Sequence, residues 1–229
     1  MKIEFLPSDQ SVVDNVPPPE SAKLSLPQWY RDSKTKHLPL DAEDHKDTPA
    51  GLKSCTPFLD ALGGGYLQKT WCDIRIEYQN NQFSYYCSGN PIIMQDREHI
   101  HTPISDKYYP IEFAWMMPWI PKTPKGYSVF CSHPANRVDL PFTSLSGIID
   151  SDEFNHMGFG QFPFYIEKGF TGIIPKGTPI IQITPFKRDD WEADVKPYIR
   201  EEQLKKEYSY FREYFSIYRN KFWKKKTYK

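Results

Sequence analysis

Asp73-Ile74-Arg75-Ile76-Glu77-Tyr78 alternates charge with bulk at every step. Successive side chains on a β-strand point to opposite faces, so Asp73, Arg75 and Glu77 share a wetted face while Ile74, Ile76 and Tyr78 share a buried one. The stretch predicts a half-buried antiparallel strand. Outward from it, similar short apolar or alternating runs are separated by Gly, Pro, Asn and Asp. They predict strands over 65–69, 83–87, 111–114, 127–132, 147–150, 162–166, 171–174 and 179–184. Asn80-Asn81 between two of these runs suggests a hairpin. Gly126, Gly147, Gly172 and Gly177 fall near strand ends, where positive φ or close backbone approach is often required. Nine short strands make residues 55–190 a mainly β domain, a sandwich or a barrel.

Composition agrees with this reading. The chain has 229 residues, room for one core with appendages. Its 36 aromatic residues and 21 prolines, with only 39% hydrophobic residues, suit a loop-rich β protein better than a helical bundle. Twenty-nine basic residues balance twenty-nine acidic ones, so no global charge draws the molecule onto nucleic acid or a membrane. No apolar run reaches about 18 residues, and Met1-Lys2-Ile3-Glu4-Phe5 lacks the apolar core of a signal peptide. A soluble, intracellular protein without membrane contact is expected.

Two appendages flank the domain. Residues 1–54 carry Pro17-Pro18-Pro19, Pro27, Pro39 and Pro49 among scattered charges, which predicts an extended arm with a turn of helix from Pro27 through Arg31. Trp29 and Tyr30 are candidate anchors onto the body. In residues 191–229, Leu204, Tyr208, Phe211, Phe215, Tyr218 and Phe222 recur at steps of 4, 3, 4, 3 and 4. That period predicts one face of a long helix from about Pro197 to Trp223, with Glu201 and Glu202 near its start and Lys221, Lys224, Lys225 and Lys226 near its end. From Arg200 onward ten basic residues face four acidic ones. Aromatic rings interleaved with lysine can grip a nucleic-acid backbone, or the stripe can pack on its own domain or a neighbouring subunit, the reading preferred here.

Cysteine and histidine patterns point away from common metal motifs. Cys55, Cys72, Cys87 and Cys131 contain no Cys-x-x-Cys pair, so reduced, partly buried thiols are expected. His99 and His101 would share a strand face and are the weak metal-ligand candidates, with His133, His156, Glu112 or Asp106 as a third donor; surface or capping histidines in a polar loop are the reading preferred here. Asp150 and Asp152 also share a face on a strand, where they can bind a divalent ion, although Asp-x-Asp at a strand end often closes a turn.

Three segments carry a family likeness. Pro124-Lys125-Gly126-Tyr127-Ser128-Val129, Gly147-Ile148-Ile149-Asp150-Ser151-Asp152 and Pro175-Lys176-Gly177-Thr178-Pro179-Ile180-Ile181-Gln182-Ile183 resemble, in order and spacing, the trimeric dUTP pyrophosphatases. The resemblance implies a β-clip fold and, as an alternative function, nucleotide binding or nucleoside-triphosphate hydrolysis with Mg2+ at a subunit junction. Asp150, Asp152 and Arg137 would serve that site. The chemistry departs from the family: Ser132-His133-Pro134-Ala135-Asn136-Arg137 stands where an Arg-Ser-Gly turn binds phosphate, Glu153-Phe154-Asn155 follows Asp152 where Tyr-Arg-Gly is usual, and no glycine-rich tail closes the chain. Leu59 to Tyr66, with Gly63-Gly64-Gly65, is weakly similar to the family's opening motif and reads as a turn.

Over the whole chain, the proline arm with Leu26-Pro27-Gln28-Trp29-Tyr30, Lys53 to Asp60, Leu140-Pro141-Phe142 and Pro185-Phe186-Lys187-Arg188 resemble an uncharacterised family of tailed bacteriophages and some bacteria. The leading expectation is a non-catalytic, phage-associated structural or assembly protein that needs no cofactor. It would form a homo-oligomer, with a trimer favoured, or join other phage proteins.

Overall fold

A computed structural model of the protein describes residues 1–34, 51–80, 82–95, 104–154, 160–204 and 218–229. Fourteen strands pair antiparallel among them: β1 (Glu4–Pro7), β2 (Glu20–Ser21), β3 (Tyr66–Lys69), β4 (Ile74–Gln79), β5 (Gln82–Cys87), β6 (Ile92–Gln95), β7 (Glu112–Met117), β8 (Trp119–Lys122), β9 (Tyr127–Ser132), β10 (Phe142–Ser144), β11 (Gly147–Ile149), β12 (Gly160–Ile166), β13 (Gly172–Ile174) and β14 (Pro179–Lys187). They form a five-stranded sheet in the order β11-β9-β14-β3-β2, a four-stranded sheet β10-β12-β7-β6, a three-stranded sheet β13-β4-β5, and the pair β1-β8. The protein is mainly β. Among the described residues, no helix is long and apolar enough to cross a membrane.

The three larger sheets enclose one core, and the alternation of Asp73 to Tyr78 places its walls. Ile74 and Ile76 are fully buried while Arg75 between them is exposed. Gln79 faces Gln82 across the β4–β5 turn, and Asn80 takes φ 52, the left-handed conformation that such short hairpins use. Trp115 of β7 lies flat on Phe164 of β12, with centroids 3.7 Å apart and planes 8° from parallel. Its indole N–H donates to Ser144 Oγ at 2.9 Å, and that hydroxyl donates to the Ile180 carbonyl of β14 at 2.7 Å. A buried indole N–H needs such a partner, and this relay ties the four-stranded sheet to the five-stranded one.

The triple glycine forms the turn that sequence implies. It follows helix α3 (Thr56–Leu62) and leads directly into β3. Buried Gln182 of β14 donates to Ala61 O at 2.9 Å and Gly64 O at 2.5 Å, and accepts from the Ala135 amide at 2.7 Å. One side chain thus holds two loops against β14.

Of residues 1–54, expected to extend as an arm, 1–34 lie along the body and 35–50 lie outside the described residues. β1 pairs with β8. Asp9 caps helix α1 (Gln10–Asn15) by accepting from the Val12 amide at 3.0 Å, and Val12 and Val16 cluster with Trp119. Trp119 Nε1 donates to Val16 O at 3.1 Å. Helix α2 (Gln28–Asp32) matches the expected turn of helix, with Pro27 at the cap, just before the first turn. Tyr30 is buried and stacks on Phe58 at 6.0 Å, so the anchoring role read for it holds; Trp29 donates to Asp139 Oδ1 at 3.1 Å. Apolar residues are few here, and Val12, Val16, Ala22 and Tyr30 among them are buried, while Met1, Val13 and Leu24 stay exposed.

Of the long C-terminal helix expected from about Pro197 to Trp223, the described residues show only short helical pieces. Within 191–229, the described α-helical residues are 200–204, and Tyr218–Phe222 form a single turn of π-helix; residues 205–217, with Tyr208, Phe211 and Phe215, lie outside the described residues. Residues 188–199 have no regular structure. The helix expected to open at about Pro197 begins at Arg200, three residues later.

Candidate functional site

Asp150 and Asp152 sit on the turn after β11, which the ladder with β9 carries to the Tyr127 end of β9. The Glu153 and Phe154 amides both donate to Asp150 O, at 3.2 and 2.9 Å, so the segment is the tight turn that one reading of Asp-x-Asp implied. β14 pairs with β9 down to Lys187 opposite Tyr127, which delivers Arg188 to the same place. Its amide donates to Gly126 O at 2.9 Å.

Arg188 is the centre of this cluster. Nη1 donates to Asp152 Oδ1 at 2.9 Å, Ser128 Oγ at 2.9 Å, Asp150 Oδ1 at 3.2 Å and Tyr127 O at 3.2 Å, while Nη2 pairs with Asp152 Oδ2. The Gly126 amide donates to the same Asp152 oxygen at 2.8 Å, and Ser128 Oγ donates to Asp150 Oδ1 at 2.6 Å. The two carboxylates differ sharply in access, Asp152 being 1% exposed and Asp150 68%. Hydrogen bonding from Arg188, helped by the Gly126 amide and the guanidinium charge, outweighs burial and holds the Asp152 carboxyl well below the ordinary carboxylate range. Both oxygens of Asp152 are therefore filled by the protein's own donors. This arrangement clamps the ends of β9, β11 and β14 together.

Arg137, the third residue of the proposed nucleotide site, lies past Ser132 at the opposite end of β9. It makes a two-pronged pair with Asp139, Nε to Oδ1 and Nη2 to Oδ2 both at 2.8 Å, and Asp139 in turn holds Trp29. Within one chain, Arg137 locks α2 to the body and the two aspartates meet a different arginine. Sequence reasoning quoted Arg188 only within a family likeness. The register of β14 against β9 was the signal that assigns it.

Among the described residues, no three His, Cys, Asp or Glu side chains gather as a metal site would require. His99, His101 and His156 lie outside the described residues. His133 accepts from the Ser144 amide at Nδ1, 3.3 Å away, and faces Arg137 O with Nε2 at 3.1 Å, so the proton belongs on Nε2. Burial lowers its pKa and keeps the ring neutral. Glu112 is buried on β7 and accepts from Tyr165 Oη at 3.3 Å.

A cleft of about 710 Å3 opens between α1, the Ser88–Asn90 turn and Lys176. Its polar lining is turned to the chain itself: Asp9 caps α1, Trp71 Nε1 donates to Gly89 O at 2.9 Å, and Asn15 donates to Ser11 O at 2.9 Å. No set of polar groups converges on its interior among these contacts.

The C-terminal end forms a second cluster. Trp223 Nε1 and Lys226 Nζ both donate to Asp60 Oδ2, at 2.8 and 2.6 Å. Tyr228 meets Tyr66 edge to face at 5.9 Å, Tyr66 Oη donates to Lys229 O at 3.3 Å, and Lys23 Nζ donates to Lys226 O. A cavity of about 220 Å3 remains between Tyr228, Ile3 and Pro185. Between β14 and this dock, residues 189–204 are exposed throughout, with Trp191 at 90%, Val195 at 94% and Tyr198 at 75%. Comparison with models of known protein families, and with curated proteins, finds no match to this sequence.

Proposed function

We propose that the chain is a non-catalytic assembly protein with a β-clip-like body, working as an oligomer in a bacteriophage setting. One observation carries this reading: residues 189–204 leave the β body and hold Trp191, Val195 and Tyr198 in water. An isolated protein gains nothing from that arrangement, because burying one large apolar side chain is worth roughly 1.5–3 kcal/mol. A neighbouring surface supplies the burial, as it does for other exposed apolar patches. The engagement of Asp152 by Arg188 and the Gly126 amide supports a structural role for the aspartate pair over nucleotide hydrolysis. The likeness to a tailed-bacteriophage family supports a virion or infected-cell location, and the likeness to trimeric dUTP pyrophosphatases supports three subunits.

Light scattering on the purified chain tests the proposal. A mass of three 26.9 kDa chains is expected, and replacing Trp191 and Tyr198 together by serine should lower it. A monomer at micromolar concentration would refute the assembly role. Nucleoside triphosphates with Mg2+ should be neither hydrolysed nor raise the melting temperature, since a ligand that favours the folded state must raise it. Turnover would overturn the non-catalytic part alone.

A further inference from the structure

The tail dock and the stretch before it have opposite characters. Trp223, Lys226 and Tyr228 fit a specific cradle of Asp60, Tyr66 and Lys23, with a charge pair, an indole hydrogen bond and an aromatic contact. Residues 189–204 touch the body so little that every one is exposed, and the ion pair between Lys196 and Asp194 within them is purely local. A docked end on an undocked connector is the arrangement from which chains exchange elements, because a second copy carries an identical cradle.

From these observations we infer that the C-terminal tail, Trp223 to Lys229, docks on the Asp60–Tyr66 cradle of a second copy of this chain, and that this exchange joins the subunits. The inference rests on the assembly role proposed above and names its contact. Reach allows it: residues 189–204 alone can extend about 50 Å at the chain's limit of ~3.3 Å per residue. A body of this size has a radius of gyration of about 16 Å. Exchange keeps every contact made by the tail, since donor and acceptor are the same groups on another copy. It adds burial of Trp191, Val195 and Tyr198 as the connector crosses to the neighbour. The positive C-terminal end also has a use in this arrangement, because Lys226 is the cation that Asp60 selects.

The geometry permits a direct test by zero-length coupling. A carbodiimide activates the Asp60 carboxyl; the Lys226 amine displaces the activated oxygen, an amide forms, and the reagent leaves as its urea with the oxygen. In the wild-type chain an Asp60–Lys226 linked peptide is expected by mass spectrometry. Full chains carrying Asp60→Asn and Lys226→Arg are then co-expressed. Neither can couple internally, so a linked peptide arises only when the tail of the first sits on the cradle of the second. The expected result is that peptide in a covalent two-chain product, absent when either variant is treated alone. An oligomeric sample lacking it overturns tail exchange and leaves the assembly role standing on another surface. A monomeric sample refutes the assembly role, and a wild-type chain that yields no Asp60–Lys226 link refutes the dock itself.

Discussion

Replacing Gly65 by alanine should be among the most damaging single-methyl additions this fold can receive. Gly65 is buried, has φ +70, and joins the α3 turn to β3. A Cβ there would lie 2.2 Å from Ile183 O, 3.0 Å from Ile183 C and 3.0 Å from Thr184 Oγ1. Two of those atoms are backbone of β14, which no rotamer change can move. The left-handed conformation costs an alanine about 1–2 kcal/mol. Ordinary C···O contacts begin near ~3.3 Å, so β3 must retreat from β14 by about 1 Å. That retreat strains the Tyr66–Ile183 pairing and the Ala22 amide bond to Gly65 O, 3.1 Å long. Two weakened buried hydrogen bonds at about 1 kcal/mol each bring the total to about 3–4 kcal/mol. For a chain of this length each kcal/mol lowers Tm by about 2–4 °C, so a drop of about 10 °C is expected. Gly177→Ala supplies the control, because Gly177 has φ +86 but nothing within 4 Å of its added Cβ. It incurs the conformational cost alone, about 1–2 kcal/mol, or roughly 2–8 °C. Thermal melts followed by circular dichroism compare the two. Equal losses would show that β3 and β14 do not approach as described, and the close-contact argument would fail.

Two further outcomes follow from the same contacts. The folded-state pKa of Asp152 is lowered, so its contribution to stability is complete above the unfolded carboxylate value of about 3.9 and drains as pH falls toward the folded value. The gap in Tm between wild type and Asp152→Asn should therefore be widest at neutral pH and close below about pH 4; a gap independent of pH would refute the Arg188 clamp. All four cysteines are free, with Cys55 exposed and Cys131 buried, its thiol pushed up to about 12 by burial. A thiol-specific disulfide reagent should label Cys55 quickly in the folded protein and Cys131 only as fast as the chain unfolds, and fast labelling of Cys131 would place it outside the core.

The parts of the fold legible in the sequence are those where side-chain period survives. All nine predicted strands are present, and the Asp73–Tyr78 alternation maps onto buried Ile74 and Ile76. Missed strands share a cause. β1 ends on Pro7, β2 follows Pro19, β6 follows Pro91, β8 contains Pro121 and β10 follows Pro141, so proline marked them as loops. Proline is tolerated where a strand lacks one neighbour. Pro163 of β12 lies beyond the last β10 partner, and Pro185 of β14 lies beyond the last β3 partner, each paired on the other side. The aspartate pair was legible as a turn, but Arg188 was not, because its partner depends on strand register across a long stretch of chain. Arg137 is taken by Asp139, two residues further along the same loop.

The two ends of the chain show why composition alone misjudged them. Prolines predict an extended arm at one end and an aromatic stripe predicts a long helix at the other, yet an appendage is defined by what its apolar residues meet. Val12, Val16 and Tyr30 are few but all buried, so the N-terminal stretch is part of the body despite its prolines. Trp191, Val195 and Tyr198 are as few and all exposed, so the residues after β14 behave as a connector despite their bulk. The tail beyond them is docked again through Asp60. Exposed as they are, residues 189–204 place no constraint on which copy holds the tail beyond them. The dominant free-energy difference between docking at home and docking on a neighbour is then what the connector itself can bury, and here its large apolar side chains weigh that balance toward the neighbour.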